Sequence, residues 1–542
     1  MAESIVQIRS QPGIKRDGTK FDGDQYVDGE WVRFQRGLPR KIGGYRSINK
    51  YLRGIARTLH EYTLDQLTYI HAGSANALER FYIDGTLNTS VIVDRTPATL
   101  AASDANLWQF DVDTAAGIGL QLIAQVAPNL NCLCNSNGGQ LFYGDAFGTT
   151  PLTEVTNLPA NYSATGGVVS LHPYTVVFGT DGYVMWSVPG DPADFTGSGA
   201  GNAYVTGQKI VRGMPLRGGP GSSPSGLLWS ADSLIRMTYT GDPSVAFAFD
   251  TISAQSSIMS SQSVIEYDGV FYWVGSDRFL MFNGVVREVE NNLNLNFFFD
   301  NMNYAQRQKV FAFKVPRFGE IWWCFPKGDS LEPNHAVIYN TRENTWYDTP
   351  LPGGGRSAGT FPAVFRRPLM AGCDPYLLPV TDRITEDSAD TRVSENGLDT
   401  RVTEDSAELR YKFWVHETGV DEIDGLTLNP IRSYFETADL SMPAQGQGNN
   451  ALQVLMVEPD FVQSGPLTMQ VVGRANARAQ EVYSEVKTIV ETPQTPQEQV
   501  VFFKEQRREL RFRFESNCIG GDYQAGLILA HLQPGDGTVL GG

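Results

Sequence analysis

The sequence predicts an all-β protein: a β-propeller of about six blades followed by a small antiparallel β-sandwich. Three observations carry this. The 542 residues include 55 Gly and 29 Pro with only 19% charged residues, the composition of a turn-rich globular chain and not of long helices. Between residues 65 and 350 one unit recurs, a short apolar-aromatic strand, a polar turn, then a second strand rich in aromatics. Near the C-terminus, strict two-residue alternation replaces that pattern.

The recurring hairpins read 69–71 with 81–83, 132–134 with 141–143, 176–178 with 183–186, 227–229 with 235–239, 271–273 with 279–282, and 321–325 with 337–339. The last leads into Asn340–Trp346, the kind of turn that closes a kelch-type blade. One hairpin about every 50 residues, without helical periodicity between, is what radial four-stranded blades produce. This sets a propeller over 61–380. Residues 411–542 then form the second domain, where Leu510, Phe512 and Phe514 present an apolar face and Arg511, Arg513 and Glu515 a solvent face.

Two segments fall outside these domains. Residues 1–60 carry twelve Lys/Arg against six Asp/Glu, a local charge of +6, whereas the remainder carries −23. Such asymmetry suggests a basic segment docking on an acidic surface, with Arg33, Arg36, Arg40 and Lys41 as its candidate contacts. Residues 381–410 hold three nonapeptides, RITEDSADT, RVSENGLDT and RVTEDSAEL. A nine-residue period gives neither a strand nor a helix a continuous apolar stripe. The repeat therefore reads as a projecting acidic arm, with Arg383, Glu386, Arg392, Glu395, Arg401 and Glu404 as candidate contacts to another subunit.

Chemistry is sparse. The glycine-rich stretch 218–226 lacks the lysine of a phosphate-binding loop, and no nucleophile elbow is present. Five scattered Cys and six scattered His indicate neither a disulfide framework nor a zinc site, so no catalytic residue, metal or cofactor is expected. Asp181, Asp232 and Asp277 recur at blade turns, where carboxylates serve their own backbone. The longest apolar window, 116–126, is too short to span a membrane, and the N-terminus lacks a secretory signal. A formal charge of −17 disfavours nonspecific gripping of nucleic acid.

Two stretches go further. Residues 31–44 (WVRFQRGLPRKIGG) and the ending 509–517 (ELRFRFESN), 520–524 (GGDYQ) and 534–537 (PGDG) resemble those of structural proteins of tailed bacteriophages. The plan of basic opener, propeller and terminal β domain is similar to that of the packaged-DNA stabilisation and tail nozzle proteins of short-tailed phages. The resemblance implies a non-enzymatic virion subunit, assembled in the host cytoplasm. It would be one of six around a DNA exit channel, below the head-to-tail adaptor and beside tail fibres or tail-tip proteins. Double-stranded DNA would pass through without specific binding. The alternatives are a propeller glycosidase and a receptor- or fibre-binding tail-tip protein.

Overall fold

The computed structural model describes residues 4–19, 23–104, 106–115, 119–127, 139–159, 162, 164–179, 181–216, 224–242, 245–377, 409–441, 451–475 and 478–535. Strand accounts for 54% of the described residues and helix for 3%. Six consecutive four-stranded antiparallel sheets form blades 1 to 6, at 58–94, 107–154, 167–204, 210–253, 265–288 and 311–350. Five of the six hairpins legible in the sequence, and the second strand of the other, belong to the two middle strands of these blades. Those strands are covered on both faces by neighbouring blades and so read as unbroken apolar runs: Tyr174–Phe178 and Glu320–Phe325 are buried at every position. In blade 2 the hairpin pairs Gly119–Ala127 with Gln140–Asp145; the expected strand at 132–134 lies outside the described residues.

The ring holds seven blades. The seventh places Arg356–Thr360 innermost, then Leu369–Leu377 and Leu409–His416, and takes its next strand, Tyr45–Leu52, from the other end of the chain. Outside it, Glu422–Asp424 runs parallel to that strand and pairs with Thr427–Asn429. Joining the two ends of the ring in one sheet removes the open edges that an unclosed propeller would leave. Phe413 of blade 7 meets Phe81 of blade 1 edge to face at 5.0 Å. Indole N–H groups fasten other blades: Trp108 donates to the Ser74 carbonyl of blade 1 at 2.7 Å, and Trp323 of blade 6 donates to Ser263, just before blade 5, at 3.0 Å.

The expected domain boundaries shift accordingly. The propeller begins at 45, not 61, and runs to 416, not 380. The nonapeptide segment connects two adjacent strands inside blade 7 and does not separate two domains. Its six candidate contacts, Arg383, Glu386, Arg392, Glu395, Arg401 and Glu404, lie outside the described residues. Leu377 and Leu409 are register partners, so the strands flanking the segment meet as a hairpin. Replacing residues 378–408 by Asn-Gly, a two-residue turn suited to such a pair, should leave stability within about 1 kcal/mol, because loop length enters closure entropy only logarithmically. Circular dichroism and thermal melts check this; loss of cooperative melting would make the segment part of the fold.

The sandwich is not purely C-terminal either. One sheet contains Val501–Arg507, Leu452–Ser464, Asp522–Pro534, Leu38–Lys41 and Val32–Gln35, with Ser4–Ile8 also along Asp522–Pro534. The other contains Asp28–Glu30, Ser433–Glu436, Glu509–Ser516, Leu467–Arg474 and Val482–Tyr483. Leu510, Phe512 and Phe514 are buried between the sheets, as their alternation requires. The opposite face of that strand is not solvent. Arg511 and Arg513 are also buried, on Glu436 at 2.6 and 2.8 Å, and Arg513 stacks on Tyr434 at 3.6 Å. A single apolar core runs from Val454, Phe435 and Phe512 of the sandwich through Trp31 and Phe34 to Phe313, Trp322 and Tyr347 of blade 6.

Candidate functional site

Stretches 31–44 and 520–524, more than 470 residues apart in sequence, come together where sandwich and propeller join. Strand Leu38–Lys41 pairs with Asp522–Pro534 through Arg40 and Gln524. Lys41 donates from Nζ to the Gly521 carbonyl at 2.6 Å, and burial lowers its pKa. The backbone carbonyl of Trp31 accepts from Ser433 Oγ at 2.9 Å, and that hydroxyl also meets Tyr523 Oη at 2.8 Å.

The four expected docking residues therefore divide. Arg33 and Lys41 are buried and cannot meet a partner. Arg33 lies over the Phe318 ring at 3.7 Å and pairs with Glu320 at 2.8 Å and Glu417 at 2.5 Å. Glu320 also accepts from Trp322 Nε1 at 2.9 Å and Tyr347 Oη at 2.7 Å. Burial pushes its carboxyl up against the pull of Arg33. Arg36 is exposed at a hairpin tip, where it and Gly37 adopt left-handed φ of 56° and 75°, and their N–H groups are held by Glu343 at 2.7 and 2.9 Å. Arg40 is half-buried and stands 5.9 Å from the Phe318 ring.

Two further arginines join them that charge counting along residues 1–60 missed. Exposed Arg317 lies 5.2 Å from the same ring, and exposed Arg342 donates to the Arg317 and Pro316 carbonyls at 2.8 and 2.7 Å. Arg36, Arg40, Arg317 and Arg342 thus make one basic patch built from the N-terminal hairpin and the turns of blade 6. Only tertiary proximity joins its two halves.

A second buried ionic cluster anchors the N-terminal segment to blade 6. Arg16 pairs with Asp28 and, at 2.8 Å, with Asp348, which also meets His335 Nε2 at 3.0 Å. Burial alone would raise the Asp348 carboxyl, but Arg16 and His335 more than offset it and hold it at about 2. A depressed carboxyl contributes stability that is present above the unfolded-chain pKa of about 4 and lost as pH falls through its folded value. Asp348→Asn should cost about 2 kcal/mol at pH 7 and flatten the acid limb between pH 4 and 2, read by urea melts across pH.

The propeller axis carries polar side chains from several inner strands. Asp111 accepts from the Ser170 N–H at 2.8 Å and from Val112, and burial raises its carboxyl to about 6 against those bonds and nearby Arg212. Asp113, on the same strand, accepts from Thr175 Oγ1 at 2.8 Å and meets His172 at 3.1 Å. Gln262, preceding blade 5, donates to the Trp108 carbonyl of blade 2 at 3.1 Å, so side chains bridge the ring interior. Two turn aspartates spend their carboxylates on neighbouring side chains of the same turn, where the sequence predicts bonding to their own backbone: Asp232 accepts from Ser230 Oγ at 2.9 Å and Asp277 pairs with Arg278 at 2.7 Å. Among the described residues no cluster of three or more His, Cys, Asp or Glu could hold a metal ion.

The chain matches no protein-family model, and no curated protein matches it. Among solved structures it is similar to the WD40 β-propeller domain of Doa1, at 12% identity and a TM-score of 0.37, over 60% of this chain and 93% of that one. At that distance the propeller assignment rests on the seven sheets and their closure.

Proposed function

We propose that this chain is a structural subunit of a bacteriophage tail, a nozzle or hub protein that assembles as a ring around the DNA exit path and docks on neighbouring tail proteins. One observation supports it above the rest: the stretches 31–44 and 520–524, distant in sequence, pack together, and Arg36 and Arg40 of the first join Arg317 and Arg342 of blade 6 in one basic patch. A basic patch on a chain of net charge −17 suits an acidic protein surface, including that of another copy. Gln262 reaches across the ring interior to Trp108, so in this reading the exit path lies between subunits, whose net negative charge repels phosphate.

The test is assembly. The purified chain should form a closed multimer by native mass spectrometry, and reversing Arg36, Arg317 and Arg342 together to Glu should abolish docking onto tail particles while the variant still folds and melts cooperatively. Normal incorporation of that variant would overturn the docking assignment. A glycosidase reading has one observation in its favour, the raised carboxyl of Asp111 two residues from Asp113 on the axis. Glycan cleavage that Asp111→Asn abolishes would establish it instead; the structural reading expects none.

A further inference from the structure

We propose that blades 1 and 2 clasp a small inorganic oxyanion, of the phosphate or sulfate class, on a buried row of basic side chains formed by His71, Arg80 and Arg95. The proposal is independent of the tail assignment. His71 and Arg80 are register partners on adjacent strands of blade 1 and therefore share one face. Arg95 directly follows the blade's outer strand; its N–H bonds to the Leu78 carbonyl, which keeps it in phase with Arg80 on that face. All three are buried.

Among the described residues their polar atoms find few partners. Arg95 spends Nε on the Thr150 carbonyl at 3.1 Å, but neither Nη1 nor Nη2 has a partner. Arg80 donates from Nη1 to the Phe147 carbonyl, and its Nε has none. Neither ring nitrogen of His71 has a partner at full hydrogen-bond geometry, the Ala146 backbone being its one nearby hydrogen-bonding group. The two guanidinium groups thus grip the same loop of blade 2 three residues apart and leave further N–H groups beside it.

Among the described residues the acids nearby do not balance them. Glu79 is on the opposite face of its strand, where it accepts the Arg53 N–H at 2.9 Å and pairs with Arg53 and Arg410. Asp94 pairs with Arg53 at 2.5 Å. Asp145 alone faces the two arginines; it is exposed, and its Oδ1 already holds the Phe147 N–H at 2.9 Å. Arginine keeps its proton at any physiological pH, so one of two buried positive charges lacks a counter-charge, an arrangement costly enough that buried ions are otherwise found paired. Burial together with these arginines and His60 drives His71 to the neutral form, in which it still offers one N–H. Directional N–H groups from three side chains suit an anion with several acceptor oxygens better than a spherical halide.

The full chain, dialysed free of phosphate and sulfate, should bind about one inorganic phosphate per chain in equilibrium dialysis with radiolabelled phosphate. Sulfate should compete and chloride at equal ionic strength should not. Melting temperature should rise saturably with phosphate in the wild type and not in Arg95→Gln or Arg80→Gln. Failure of the wild type to retain phosphate, displacement by chloride, or an equal rise in the variants, which marks a general salt effect, would each overturn the proposal. The dialysis result decides by itself if neither variant folds.

Discussion

Removing residues 1–44 should abolish the fold of the whole chain, not free a propeller from its docking segment. The sandwich would lose Ser4–Ile8, Asp28–Glu30, Val32–Gln35 and Leu38–Lys41 from both its sheets. The shared core would lose Ile8, Ile14, Tyr26, Trp31, Val32, Phe34 and Ile42, all buried. Trp31 concentrates the effect in one side chain. It meets Tyr45 of blade 7 at 5.7 Å and Trp322 of blade 6 at 6.4 Å, its N–H donates to Thr349 Oγ1 at 3.0 Å, and its indole donates to the Gly43 carbonyl at 3.2 Å. Deleting so large a buried ring costs about 3–5 kcal/mol, so Trp31→Ala should fold with a sharply lowered denaturation midpoint. Expression and urea melts of both variants check this. A soluble, cooperatively melting 45–542 fragment would mean that the N-terminal strands are dispensable.

The Arg33 cluster should produce the next largest effect. Arg33→Met should destabilise by about 3–5 kcal/mol, because it strands the buried Glu320 carboxylate without its cation. Combining it with Glu320→Gln should recover much of that loss, since the amide retains hydrogen bonding to Trp322 and Tyr347 without an unpaired charge. A double-mutant cycle measured by urea unfolding gives the coupling directly. Additive losses would show that the pair contributes packing only, including Arg33 over the Phe318 ring. Either outcome separates the internal role of Arg33 from the docking role that its position in a basic segment suggests.

The same residue shows why part of the site could not be read along the chain. A run of positive charge predicts a solvated face when its acids are not in view. Glu320 and Glu417 are nearly 300 and 400 positions away, so nothing local distinguishes Arg33, which is buried, from Arg36, which is not. The alternation at 510–514 failed in a similar way. It placed the apolar face correctly, but polarity on the other face meant burial in an ion network because the strand is central to a seven-stranded sheet. Arg317 and Arg342 carried no sequence signal, since each lies singly in a turn of blade 6.

By itself the sequence determined the class of fold, five of the six consecutive hairpins and the inner face of the sandwich. Those properties follow from side-chain periodicity and turn chemistry within about ten residues, where pleat and burial act locally. The tertiary structure alone decided the seventh blade, the domain limits and which basic residues face solvent. Blade 7 draws its strands from 45–52, 356–377 and 409–416, and its two central strands are separated by 31 residues, so no contiguous repeat announces it. Closure of the ring is enforced by the backbone hydrogen bonds and apolar faces that an open seventh sheet would leave unpaired. That requirement brings the N-terminal strand to a place its own residues do not specify.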